Sequence, residues 1–374
     1  VKIGISCYPS FGGSGIVATE LATGLAAAGD EVHVISYALP PRLTSLGPNL
    51  LYHEVIVPRY PLFEYPPYSL ALATKIVEVT RNHQLDLVHV HYAVPNAVSA
   101  VLARQILAPQ PLPVVTTLHG TDITLVGTDP SYLETTRYGI VQSDAVTAVS
   151  HALRRQTFDQ LGLELPIEVI PNFIEPERYE RVRDRPGARA WAREGERIIV
   201  HISNFRAVKR VGDVVEVFRR IHHQLPARLI LVGDGPERTR VEGECRRLGL
   251  CDAITFIGNL PLVEEILTGA DLFLLPSETE SFGLAALEAL SCEVPVIATA
   301  VGGLPEVVVE GENGHLLAVG DVEGMAAAAI ALLRDRLRHQ RFKSAARRWA
   351  VEQFAADRVI GQYRDLYRSV LAGR

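Results

Sequence analysis

The chain has few cysteines, four in 374 residues. Cys7, Cys245, Cys251 and Cys292 make no metal-ligand pattern: Cys245 and Cys251 stand six apart, with no matching His/Cys pair. So few thiols in so long a chain point to reduced cysteines and a cytoplasmic protein rather than a disulfide scaffold. Long apolar runs are also lacking. The alanine-rich run Met325–Leu333 is too short for a membrane span, which needs about 20 apolar residues. The first residues enter a strand directly, without the charged start and apolar core of a signal peptide. Basic excess is missing as well: the net charge is −6, which argues against a nucleic-acid binder but permits a local cationic pocket. No low-complexity linker and no short-period repeat interrupts the chain.

What the chain does have is apolar residues, 48% of the total, enough for sizeable cores, and a length that suits two domains. Strand and helix patterns alternate twice over. Lys2–Cys7 reads as a strand, Pro9–Gly15 as a glycine-rich loop, Ile16–Ala28 as a helix and Glu31–Ser36 as the next strand. Such a βαβ unit implies a parallel sheet. Further strands are expected at 49–57, 86–91, 113–118 and 145–149, and Pro58–Pro67 as a surface loop. A second series starts at Arg197–Ile202 and continues at 229–233, 254–258, 272–275 and 294–298. The pattern predicts two doubly wound α/β domains facing across a cleft, with boundaries at 1–167 and 168–353 and a C-terminal helix over 354–374.

Polar residues gather where strands should end: His91-Tyr92, Thr116–Asp122 around His119, and Ser150-His151. Ligands of open parallel sheets bind beyond those ends. His33, His53 and His89 carry no such signal and are read as structural or unassigned. In the second half, the turn Ser203–Arg210 carries Arg206, Lys209 and Arg210, enough cationic charge to neutralise a diphosphate. Pro276–Glu288 joins an apolar strand to a helix and places Glu280 and Glu288 eight residues apart. Were that interval wholly helical, it would span about 12 Å. The free N–H groups of Ser281, Phe282, Gly283 and Leu284 would then face an anion between two carboxylates. Hydroxyls at both ends and a diphosphate between them describe a nucleotide-sugar. The basic segment Arg334–Arg348 reads as a solvated helix face or as a contact for an anionic membrane surface.

Taken as an ordered set, the N-terminal glycine loop, the Arg206/Lys209 turn, Ser281–Leu284 and the Glu280/Glu288 spacing resemble family 4 of the retaining glycosyltransferases, which have the GT-B fold of two Rossmann-like domains across a deep cleft. Cys7–Gly15, His91–Pro95, Thr116–Thr124 and Ser203–Arg210 narrow the resemblance to members that transfer GlcNAc from UDP-GlcNAc to L-malate, the first step of bacillithiol biosynthesis. That resemblance implies donor contacts from Gly13, Arg206, Lys209, Glu280, Ser281, Phe282, Gly283, Leu284 and Glu288. It implies acceptor contacts from Ser14, Tyr92 and Thr117, and chemistry at His119, Arg206, Lys209 and Glu280. Family members often carry an arginine where Asn204 stands, so Arg206 must supply that charge from a different position. No Asp-x-Asp occurs, so no obligatory metal or cofactor is expected. The implied partners are the two small substrates; no nucleic acid and no membrane span are expected, and a homodimer is compatible with the sequence. A family member with a lipid acceptor, a sugar-nucleotide epimerase and a non-catalytic UDP-sugar binder are the alternatives left open.

Overall fold

The structure is a computed structural model. It describes residues 1–373 except Phe11, Tyr60, Leu62, Arg181 and Arg183, and nothing is described of the Leu125 side chain. Phe11 of the expected glycine loop, and Tyr60 and Leu62 of the expected 58–67 loop, therefore lie outside the described residues. The chain divides into two compact units, Val1–Asn172 with Asp357–Arg374, and Phe173–Ala356.

The first unit is built on seven parallel strands: Lys2–Ser6 (β1), Glu31–Ser36 (β2), Leu50–Glu54 (β3), Leu87–His91 (β4), Val114–Leu118 (β5), Ala145–Ala148 (β6) and Glu168–Val169 (β7). Their order is β3-β2-β1-β4-β5-β6-β7. The central strands are buried along their length, as parallel strands covered by helices on both faces must be. The short β7 pairs with β6 and so belongs to the first sheet, although the sequence boundary at 167/168 assigned it to the second domain.

The first helix, Gly13–Ala27, starts three residues before the expected Ile16. Its first turn therefore contains Gly13, Ser14 and Gly15. Gly15 allows this: a Cβ there would lie 2.6 Å from the carbonyl oxygens of both Tyr8 and Ser10. Only a residue without a side chain lets the helix start press onto the preceding loop.

The closing helix of the chain, Ala356–Ala372, supplies the first unit with two buried tyrosines, Tyr363 and Tyr367. The Tyr367 hydroxyl bonds His89 Nδ1 at 2.7 Å.

The second unit has six parallel strands: Arg197–Ile202 (β8), Ala227–Val232 (β9), Ile254–Gly258 (β10), Leu272–Leu275 (β11), Val296–Thr299 (β12) and Gly314–Leu317 (β13). Their order is β10-β9-β8-β11-β12-β13. An apolar core of Val214, Phe218, Leu229, Leu231, Leu274 and Leu332, among others, packs one face. Where the chain enters and leaves this unit, the two crossing segments pair by backbone: Ile174 N–H donates to Phe354 and Ala356 N–H to Ile174.

Both sheets have a switch point. The chain winds outward from β1 through β2 and β3, then resumes at β4 on the other side of β1. In the second unit it winds from β8 through β9 and β10 and resumes at β11. Loops leaving two such neighbouring strands diverge, which opens a crevice beyond their carboxyl ends. In the first unit those loops are Cys7–Gly12 and Tyr92 onward; in the second they are Ser203–Arg210 and Pro276–Gly283.

Candidate functional site

In the second unit, the switch point brings the two predicted turns together. Lys209 Nζ donates to Glu280 Oε1 at 2.6 Å, and the Ser277 hydroxyl donates to the same oxygen at 2.9 Å. Both charged side chains are largely shielded, 19% and 11% exposed, so the pair is screened far less than a surface ion pair. The two turns are also joined by backbone, since Glu278 N–H donates to Val208. Gly302 holds the far side. Its φ is +51°, a Cβ on it would lie 1.7 Å from the Glu280 carbonyl oxygen, and Gly303 N–H donates to that oxygen. Backbone thus encloses Glu280 on two sides.

Beneath this pair, His201 on β8 spans the two strands. Its Nδ1 donates to the Leu274 carbonyl at 2.8 Å, which leaves Nε2 to accept from the Ser203 hydroxyl at 2.8 Å. Burial pushes its pKa down to about 4, so the ring is neutral at pH 7. Arg206 stands apart, exposed, with no ion pair among the described residues. Arg210, the third cation of the turn, is engaged by Asp213 at 2.7 Å.

The interval from Glu280 to Glu288 is not wholly helical. The helix runs Leu284–Ser291 and is entered through Gly283 at φ +96°, so Glu280 to Phe282 form a turn and only the second half of the interval rises as a helix. The left-handed step needs glycine, which is why the helix cannot reach back to Glu280. Its N-cap residue, Gly283, has no side chain to cap the helix start. The Phe282 side chain is buried and meets Phe354 edge-on at 5.7 Å, so it anchors the turn in the core. Glu288 is 5% exposed. Its carboxylate adds to the burial that pushes the Tyr179 phenol well above its usual range.

In the first unit, the loops after β4 and β5 are bound into one constellation. His91 Nδ1 and His119 Nε2 lie 2.8 Å apart. The Tyr92 ring stacks on His119 at 5.6 Å and meets Tyr8 edge-on at 5.4 Å, which draws in the loop after β1. Tyr92 holds this place at φ +83°, an uncommon backbone state for a non-glycine residue. Asp122 ties the two loops, accepting from the backbone N–H groups of His119, Gly120 and Ala93. Burial pushes its carboxyl up to about 6 against the pull of those donors. Burial pushes His119 down to about 3 and His91 well below its ordinary value, so both rings are neutral at pH 7. Ser14 is buried in the first turn of its helix, and Gly13 is exposed at the helix start.

Thr117, which the resemblance assigns to the acceptor, lies one layer deeper on the same face: the His89 ring that it bonds is 4.6 Å from that of His91. It is fully buried, and its hydroxyl is engaged by His89 Nε2 and by Thr147, each at 2.7 Å. The chain His89–Thr117–Thr147 lies under the closing helix and knits the sheet to Tyr367. His91, Asp122, Ser277 and His201 carry much of the two constellations, although the residue pattern assigned none of them a role; His91 and Asp122 stood out only as polar residues at strand ends. Their signal was position: each is on, or a few residues beyond, a strand that flanks a switch point or the strand next to it.

Two parallel α/β sheets, each with a polar constellation at its switch point, define a GT-B glycosyltransferase. The chain belongs to glycosyltransferase family 4. Residues 11–178 match the model described as Glycosyltransferase Family 4, and residues 188–349 match Glycosyl transferases group 1. The N-acetyl-alpha-D-glucosaminyl L-malate synthase of Bacillus anthracis is 47% identical over 372 residues, 99% of this chain and 97% of the relative. The D-inositol 3-phosphate glycosyltransferase of Acidothermus cellulolyticus is 29% identical over 97% of this chain and 87% of its own. Sucrose-phosphate synthase from Thermosynechococcus elongatus has the same fold, with a TM-score of 0.81 at 23% identity over the whole of both chains. So does Anabaena HepE in complex with UDP-glucose, with a TM-score of 0.82 at 20% identity over 98% of this chain and 99% of that one.

Proposed function

We propose that the protein transfers GlcNAc from UDP-GlcNAc to the hydroxyl of L-malate with retention of configuration, giving GlcNAc-α-malate and UDP, as the first step of bacillithiol biosynthesis. The observation that carries this reading is the 47% identity, over nearly the full length of both chains, to a relative named for that product.

We assign the donor to the second unit. Lys209 and Arg206 hold the diphosphate, Glu280 the hexose hydroxyls, Glu288 the ribose hydroxyls, and the amides of Ser281–Leu284 sugar and phosphate oxygens. An uncapped helix start suits the last role, because its N–H groups have no partner in the helix. Gly13, in the first turn of a helix whose N-cap is likewise a glycine, is assigned to the donor's phosphates. Ser14 and Tyr92 are assigned to malate, and His119 to the neighbourhood of the reacting sugar carbon.

The chemistry is a front-face displacement through an oxocarbenium-like state. The anomeric carbon–phosphate oxygen bond breaks, the bond to malate's hydroxyl oxygen forms on the same face, and the departing phosphate oxygen takes the hydroxyl proton. Glu280 does not suit a nucleophile's part, since one of its oxygens already accepts from both Lys209 and Ser277. The protein contributes position and stabilisation of the leaving charge.

The test is one assay with purified protein, UDP-GlcNAc and a panel of acceptors. UDP release that depends on L-malate, with an α-anomeric product by NMR, is expected. Equal release without acceptor would reject the transferase.

A further inference from the structure

Away from both switch points, three histidines from three elements converge at the edge of the first sheet. His33 lies on β2, His53 on β3, and His83 is the last residue of the helix Tyr68–His83. The strand register pairs His33 with Leu51 and His53 with Ile35, so the two histidines are diagonal neighbours on one face. The ring centroids lie 5.1 Å apart for His33 and His53, 4.4 Å for His33 and His83, and 5.2 Å for His53 and His83. One nitrogen from each ring falls within 4.8 Å of the others. We propose that His33, His53 and His83 form a binding site for a late first-row divalent metal ion, zinc being the test case, which pins β2 and β3 to the end of that helix.

The donor set and its surroundings suit such an ion. Three imidazole nitrogens select zinc, nickel, copper or cobalt over magnesium and calcium, which take oxygen ligands. His33 Nε2 is 3.0 Å from Glu31 Oε1. An ionised carboxylate only accepts, so Nε2 carries the proton and Nδ1 presents its lone pair. That is the carboxylate–histidine arrangement that orients metal ligands and raises their basicity. His33 Nδ1 and His53 Nε2 stand 2.8 Å apart. Two nitrogens at about 2.0–2.1 Å from one tetrahedral zinc would stand about 3.3 Å apart. The pair need open by only about half an ångström, with His53 moving its proton to Nδ1.

Burial favours the neutral form of His33 and His53, the form whose nitrogen has a lone pair to give. Burial lowers the pKa of His33, and burial with repulsion from His33 and His83 lowers that of His53 to about 4. The other charges facing the cluster are Lys2, Glu31, Lys75 and Glu78. Lys2 Nζ is held by the His83 carbonyl and lies 3.7 Å from Glu31, and Lys75 is held by Glu78, so each ammonium has its own carboxylate.

A ligand that binds only the folded chain stabilises it by mass action. The experiment is zinc titration of tag-free full-length protein by calorimetry, beside thermal unfolding with zinc or magnesium. The variants are His83→Gln and His53→Gln; both positions are half-buried, so neither substitution empties the core. Cys251→Ser removes the exposed thiol that could compete. One zinc per chain is expected, raising the unfolding temperature where magnesium does not. The affinity should fall at least tenfold in each histidine variant and be unchanged in Cys251→Ser. Cobalt should give a spectrum without a thiolate charge-transfer band. No zinc binding, or binding that survives both histidine variants, would overturn the proposal.

Discussion

Lys209 and Glu280, seventy-one residues apart in the chain, meet at 2.6 Å across the switch point of the second sheet. In the resemblance they serve different parts of the donor, the lysine its diphosphate and the glutamate its sugar. In the structure they also organise each other. Each charge fixes the other's side chain before any ligand arrives, which lowers the ordering cost of binding.

Replacing Lys209 with alanine should therefore do two things. It leaves the Glu280 carboxylate nearly buried, held by the Ser277 hydroxyl but without its counter-charge, which should cost about 1–3 kcal/mol of stability. It also removes a charge-assisted contact worth about 1.5–3 kcal/mol, so UDP should bind about tenfold to a hundredfold more weakly. The double variant Lys209→Met, Glu280→Gln separates the two effects: urea denaturation should show stability regained, and calorimetry should show UDP binding still weak. Unchanged UDP affinity in Lys209→Ala would remove the lysine from the diphosphate site.

Thr117→Val should act on stability and not on the acceptor. The loss of the hydroxyl leaves His89 Nε2 without its partner in a buried setting, at a cost of about 1–3 kcal/mol. The KM for malate should stay within twofold of wild type, while the thermal midpoint falls. A raised malate KM with unchanged stability would return Thr117 to the acceptor site.

Gly302→Ala tests the enclosure of Glu280. The added methyl would overlap the Glu280 carbonyl, and φ +51° is strained for alanine. Gly29→Ala is the control, with positive φ and nothing within 4 Å of the new carbon. The control should cost about 1 kcal/mol from backbone strain alone. Gly302→Ala should cost more and lower turnover. Equal costs with equal turnover would show that the turn yields without consequence.

Stability should fall as the pH drops below about 6.5. His89 and His119 have folded pKa values near 3, and His53 and His201 near 4, all depressed by burial. Between those values and the unfolded value of about 6.5, the unfolded chain binds more protons, so acid favours it. Each such group contributes at most about 1.4 kcal/mol per pH unit. Asp122 opposes them. Its folded pKa, raised to about 6, makes the folded chain hold the extra proton between about 3.8 and 6. Four histidines outweigh one aspartate, so the urea midpoint should be lower at pH 5 than at pH 7. His89→Gln should flatten that dependence. A midpoint that rises on acidification would contradict the neutral burial of these rings.

Much of the fold could be read from the chain because apolar runs and turn residues are local signals. The strands of both series, the turn at Ser203–Arg210 and the turn before Leu284 are all of this kind. Strand order is not local. Nothing in the spacing of Lys209 and Glu280 says that β8 and β11 are neighbours, yet that adjacency makes the ion pair. Thr117 and His119, two residues apart, share a face, but Thr117 is still inside β5, where His89 and Thr147 take its hydroxyl, whereas His119 and Asp122 lie in the loop beyond. His33, His53 and His83 gave no signal at all, since a ring of side chains from two strands and a helix end has no period. The helix start at Leu284, with Glu280 in the turn before it, could be read from the chain because Gly283 is a local signal; its left-handed φ could not.

The first unit is made from both ends of the chain, Val1–Asn172 and Asp357–Arg374, whereas the second is one continuous stretch. During synthesis the first sheet emerges first, but His89 has no Tyr367 to bond until the stretch beyond Asp357 follows. The unit that is second in sequence is thus the first to have all its parts outside the ribosome, and the unit begun first is finished last.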